Sequence, residues 1–224
     1  MISFVGRRVT VVPAGTTVGG FIDLTKLALG SDTAAQAGDL VIVAYATGST
    51  ANRTLSIADY TLIDELYSDD ANDTNLRIAY RFMPVVPETN VVLGPTGHAQ
   101  DEGAAAALVF RGVDPITPFD VASVSATGIN SRHANPPPIR PLTTGAWIVV
   151  AGAAAVLNGT AGYFATGLAP NIVVTRHGMH PVMLGVGFVE WDGSQVCNPA
   201  KFGGGSTFDN RASWAALTMA LRPV

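Results

Sequence analysis

Gly38-Asp39-Leu40-Val41-Ile42-Val43-Ala44-Tyr45 is echoed 107 residues later by Gly145-Ala146-Trp147-Ile148-Val149-Val150-Ala151-Gly152. Each stretch is a short apolar run opened by a glycine, which reads as a buried strand entered through a turn. Leu76-Arg77-Ile78-Ala79-Tyr80-Arg81-Phe82 is echoed 106 residues later by Val182-Met183-Leu184-Gly185-Val186-Gly187-Phe188. Ala106-Ala107-Leu108-Val109-Phe110-Arg111 is echoed 109 residues later by Ala215-Ala216-Leu217-Thr218-Met219-Ala220. Three strand-like segments recurring in order at near-constant spacing predict an all-β chain. The expected architecture is a single jelly-roll-like β-sandwich over residues 1–224 with two pseudo-repeated halves. The halves fall at about 7–125 and 142–224, linked by a Pro-rich connector at 135–141.

The rest of the chain fits this reading. Short apolar or alternating runs are separated by Gly, Pro, Asn and Asp, the punctuation of an all-β protein. Strands are expected near Arg7–Val12, Gly20–Leu29, Asp39–Ala46, Tyr60–Tyr67, Asn75–Met83, Asn90–Leu93, Ala104–Arg111 and Phe119–Ser125. The second half adds Ala146–Ala153, Ile172–Arg176, Val182–Trp191 and Ser213–Leu221. Only short helices near Thr25–Leu29 or Thr33–Ala37 fit the pattern. Gly203-Gly204-Gly205-Ser206 reads as a turn before the last strand.

Leu76, Ile78, Tyr80 and Phe82 share one strand face, and Arg77, Ala79, Arg81 and Met83 the other, the pattern of a sheet with one side in the core. Leu40–Tyr45 and Trp147–Val150 are instead apolar on both faces. Such strands need cover on their outer side, either from a long loop such as Pro136–Pro141 or from another subunit. Leu40, Val41, Ile42, Val43, Trp147 and Val149 are therefore candidate interface residues.

Composition points the same way. The chain is 48% hydrophobic and only 13% charged, with mean hydropathy +0.31, against about 25% charged in a typical soluble domain. Low surface charge implies extensive subunit contacts and a homo-oligomer. Membrane insertion is not expected, because no apolar run approaches the roughly 20 residues of a spanning helix. A net charge of −4 argues against nucleic acid as a partner. The single cysteine, Cys197, forms no intrachain disulfide. No apolar segment follows the arginines near the N-terminus, so no signal peptide is read there.

No catalytic constellation emerges. His177 and His180 would point to opposite faces of a strand, and His98 and His133 stand alone, so neither a metal nor any other cofactor is expected. Asp69, Asp70 and Asp73 sit in a segment that lacks the glycine and glutamate of a calcium loop and reads as a solvated hairpin. No G-x-S-x-G elbow, phosphate cradle or partnered cysteine is present. Glu190-Trp191-Asp192 is the one suggestive group, since an aromatic ring beside carboxylates suits sugar binding.

The series Ala37–Val43, Leu76–Arg81, Ala107–Asp114 and Trp214–Pro223 resembles small virion proteins of tailed bacteriophages. The resemblance spans Gly38 to Pro223 and rests on strand patterns. It implies a β-sandwich on the head or tail surface, as decoration, fibre or tail-tip component, with no catalytic residues. It implies other virion proteins as partners and synthesis in a bacterial cytoplasm followed by assembly into the virion. The alternative expectation is a carbohydrate- or host-receptor-binding module, contacting surface glycans through Glu190, Trp191 and Asp192.

Overall fold

In a computed structural model the chain is described over residues 1–131, 133–156, 169–176, 180–193, 195–203 and 212–224, with backbone alone at 169–176 and 202–203. Fourteen strands are found among these residues, and no helix. The first seven are β1 (Ser3–Val12), β2 (Gly20–Asp23), β3 (Leu40–Ser49), β4 (Thr61–Ser68), β5 (Asp73–Phe82), β6 (Asn90–Leu93) and β7 (Gly103–Arg111). The next seven are β8 (Phe119–Gly128), β9 (His133–Ala134), β10 (Trp147–Ala154), β11 (Ala169–Arg176), β12 (Val182–Glu190), β13 (Phe202–Gly203) and β14 (Trp214–Leu221). The two-residue strands β9 and β13 are too short to leave a pattern in the sequence. The strand expected over Gly20–Leu29 ends at Asp23, whose carboxylate accepts both the backbone N–H and the hydroxyl of Thr25 and so turns the chain. The short helices at Thr25–Leu29 and Thr33–Ala37 do not form.

Two five-stranded antiparallel sheets carry the fold, ordered β1-β7-β3-β5-β4 and β11-β12-β10-β14-β8. Two small ribbons pair β2 with β6 and β9 with β13. Adding seven to each label of the first sheet gives the second sheet read from its other end, and the same shift turns the first ribbon into the second. A jelly roll passes successive strands between its two sheets. Here no strand from β1 to β7 enters the second five-stranded sheet, so the expected jelly-roll path is replaced by two facing sheets, each completed within its own half. The half boundary also moves. β8, read from sequence as the end of the first half, pairs with β14 in the second sheet, and the Pro-rich 135–141 segment lies inside the second half.

Register refines the echoes. Leu40 sits opposite Phe82 and Phe110, while Trp147 sits opposite Glu190 and Leu221. With Leu40 matched to Trp147, the flanking strands match at spacings of 108 and 111, not 106 and 109. The two flanking echoes are thus slipped by two residues relative to the central one. A slip of two leaves every side chain on its own face, so the face assignments survive it. Gly38 and Gly145 enter β3 and β10 with the same φ of +81°, a backbone conformation that favours glycine. The next residue closes a turn in both cases: Asp39 N–H to Gln36 O and Ala146 N–H to Thr143 O, each 3.1 Å.

The core has three apolar layers. Between the sheets, Leu40, Ile42, Ile78, Leu108 and Phe110 meet Val149, Leu184, Val186, Leu217 and Met219. Outside the first sheet, Val41, Val43 and Tyr45 are covered by Ile22, Leu24, Leu55, Ile57, Val91 and Leu93. Outside the second, Ile148 and Val150 are covered by Ile139, Val156 and Trp191. Pro137 O of the proline segment accepts the Thr218 hydroxyl at 2.7 Å and fastens that cover to β14.

Of the two covers expected for these strands, the structure shows the chain's own segments. Leu40, Val41, Ile42, Val43 and Val149 are all buried within the single chain. Half-buried Trp147 stacks on Phe188 at 5.4 Å and meets Phe110 edge-on at 5.9 Å. The inner faces of both central strands pack between the sheets, and their outer faces lie under the chain's own segments. That also accounts for the low charge: an extra layer on each side consumes apolar residues that a two-layer sandwich would not need.

Candidate functional site

A dense polar cluster lies where the two halves meet, joining the β6–β7 loop to the entry of β12. It is centred on Asp101, in the loop from β6 to β7. Thr96 Oγ1 donates to Asp101 O at 2.6 Å, and Asp101 N–H donates to His98 O at 3.3 Å, so the loop folds tightly around the carboxylate. Asp101 is fully buried. Its Oδ2 accepts Ser49 Oγ at 2.7 Å and Arg53 Nε at 2.9 Å. Its Oδ1 lies 2.6 Å from Nδ1 of His180, which immediately precedes Pro181 and β12. Nδ1 of His98 lies 3.4 Å from the same oxygen. Burial opposes ionisation of Asp101, but the bonds from Ser49, His180 and Arg53 outweigh it and hold the carboxyl below the usual carboxylate range.

Backbone geometry brings these groups together. A Cβ on Gly48 would stand 2.2 Å from Pro181 O, so only glycine at the end of β3 lets the start of β12 approach. Asp101 and His180 also form a backbone bridge. The expectation that His98 stands alone is therefore corrected. The imidazoles of His98 and His180 have ring centroids 6.2 Å apart, and one donor atom from each of His98, Asp101 and His180 lies within 4.8 Å of the others. Nothing local in the sequence announces this grouping, because His180 comes from the other half of the chain. His133 sits half-buried on β9 opposite Gly203. His177, and the turn residues 204–206, lie outside the described residues.

The acidic hairpin forms as expected between β4 and β5, but Asp73 is buried in it, not solvated. Its carboxylate accepts Tyr67 Oη at 2.7 Å and Asp70 N–H at 3.0 Å. Loss of solvent, then the bond to Asp73, pushes the Tyr67 phenol up to about 12. Asp70 accepts N–H groups from Ala71 and Asn130. These carboxylates hold turns. Burial and then the Asp192 charge push the Cys197 thiol up, the opposite of an activated nucleophile.

Glu190, Trp191 and Asp192 line a groove of about 590 Å3 together with Met1, Thr144 and Val224. Trp191 is only 9% exposed and packs in the outer layer of the second sheet. Its indole N–H donates to Gln195 O at 2.7 Å, within its own loop. The ring is not offered as a sugar platform, which corrects the expectation for this group. No family model, curated protein or solved structure matches the chain.

Proposed function

We propose that this chain is a non-enzymatic structural component of a bacteriophage-like virion, carried on the head or tail surface and built from two copies of one seven-strand unit. The observation that carries the reading is the strand order, identical in the two halves after a shift of seven. Two such units packed face to face behave as a homodimer fused into one chain, each sheet meeting the other through the same face. The result is a rigid four-layer block. Its buried carboxylates are engaged in holding turns and arginines: Asp39 with Arg111, Asp101 with Arg53, Asp120 with Arg222. A load-bearing shell or tail part needs such a block and no reaction centre.

Contact with neighbouring virion proteins or further copies then falls to apolar side chains that remain outside. Phe21 and Val92, cross-strand neighbours in the first ribbon, are exposed. Val9 and Val11 flank the same groove as Phe21, with Arg8 and Lys26 beside them. Glycan recognition is the weaker reading, since the one aromatic beside the carboxylates is buried.

Mass spectrometry of density-banded particles from cells that produce the chain tests the proposal. The chain should co-sediment with particles at a fixed ratio to the major shell or tail protein. Recovery only in the free-protein fraction would sink the virion reading.

A further inference from the structure

We propose that His98, Asp101 and His180 form a binding site for one divalent transition-metal ion of the zinc class, which clamps the two halves together. Two imidazoles and a carboxylate are the donor types that such ions take, and three protein donors with water in the fourth position make a complete coordination sphere. The three donors come from two separate segments: the β6–β7 loop of the first half and the entry to β12 in the second.

The carboxylate is oriented for the task. Ser49 and Arg53 occupy Oδ2 and turn Oδ1 toward both histidines. This is the outer support that metal-binding carboxylates require. Arg53 also cancels part of the carboxylate charge. That disfavours calcium or magnesium, which need several charged oxygens, and leaves nitrogen-seeking ions.

His98 supplies a second indication. Gln100 N–H points at His98 Nδ1 from 3.3 Å. A nitrogen that accepts there has no proton to offer Asp101 Oδ1, which stands 3.4 Å away. Two electron-rich atoms then face each other, and a cation between them removes the repulsion. The long Gln100 contact is readily given up to an ion. At His180 the ion would lie between Nδ1 and Asp101 Oδ1, which are already 2.6 Å apart and face each other.

The site lies beside the Gly48–Pro181 approach, where a Cβ on Gly48 would stand 2.2 Å from Pro181 O and 2.8 Å from His180 O. An ion bound here stabilises the folded chain in proportion to its occupancy.

The experiment uses untagged full-length chain stripped with chelator and dialysed. Calorimetric titration with zinc, and cobalt titration followed by visible absorption, read binding directly. One ion per chain and a rise in Tm with zinc are expected. His98→Ala tests the half-exposed ligand, and His180→Gln keeps a hydrogen-bond donor to Asp101 while removing a good ligand. Each should weaken zinc binding by at least about tenfold, and metal-free His98→Ala should melt with the wild type. No stoichiometric zinc uptake by the wild type, or wild-type affinity in either folded variant, overturns the proposal. A chain that binds zinc yet never enters particles would overturn the virion reading and leave this one standing.

Discussion

Arg111 closes on the buried carboxylate of Asp39 through two parallel bonds, Nε to Oδ1 at 2.8 Å and the terminal nitrogen to Oδ2 at 2.9 Å. Arg222, one residue beyond β14, reaches Asp120 Oδ1 at 3.3 Å in the other half. The two carboxylates come from different positions, Asp39 just before β3 and Asp120 on β8. Both nonetheless hold the turn that leads into a central strand. Asp39 accepts Gln36 N–H, and Asp120 accepts the N–H groups of Leu142 and Thr143. The halves thus solve one problem, fixing the entry to the central strand, with the same chemistry placed differently.

Arg111→Met should lower stability by about 1–3 kcal/mol, because Asp39 keeps its turn N–H but loses its charged partner. Asp39→Ala should cost more, since the turn loses its acceptor too. The double variant should be less destabilised than the two singles added together, as partners in one network are. Denaturant melts of the four proteins measure this, and strict additivity would count against the pair as a unit.

Asp120 gives the pH dependence. Burial opposes its ionisation, but bonds from Thr143, Leu142 and Arg222 prevail and hold the carboxyl below the ordinary range. A carboxyl with a depressed folded pKa contributes stability that is fully present above the unfolded value, about 3.9. That contribution is lost as pH falls through the folded value. Stability should therefore fall steeply below about pH 4, and Asp120→Asn should be less stable at neutral pH yet flatter in that acid window. Equal slopes for the two proteins would refute the assignment.

Twelve of the fourteen strands were legible because strands buried on both faces leave short continuous apolar runs bounded by turn residues, and half-buried ones leave alternation. The echoes were legible in face but not in register. A slip of two residues is invisible to that pattern, so Ala106 aligned with Ala215 when Leu217 is its counterpart. β8 was misassigned because Phe119–Gly128 shares no residue pattern with β1. The outer cover was half legible: the proline segment was one of the two covers expected for the strands apolar on both faces and lies outside the second sheet, whereas the cover of β3 by Ile22, Leu24 and Val91 comes from segments that read as ordinary strands. The histidine cluster was not legible, because only the packing of one half on the other brings His180 to Asp101.

Val43→Asp tests the layering. Val43 lies under the crossovers of its own chain, so a carboxylate there is buried without a partner and should lower Tm by many degrees or prevent folding. Leu142→Asp, at a side chain 75% exposed, should leave Tm within a degree or two of wild type. If Val43→Asp melted normally and altered only the oligomeric state, the face would belong to a subunit interface after all.

Trp191→Ala separates the structural and sugar-binding readings. The ring packs with Ile148 and Ile139 outside the second sheet, and its N–H is bonded to Gln195 O. Truncation removes that apolar contact, leaves a cavity and frees the Gln195 carbonyl, a loss of about 3–5 kcal/mol by analogy with other buried aromatics. Trp191→Phe keeps most of the ring and should recover more than half of it. Neither variant should change retention on immobilised host surface glycans, because a ring that is 9% exposed has no free face for a sugar to stack on. Melting curves and glycan-array binding of the three proteins decide the matter. Strong glycan binding by the wild type, abolished in Trp191→Phe at unchanged Tm, would show that the loop opens to present the ring and would favour a receptor-binding module.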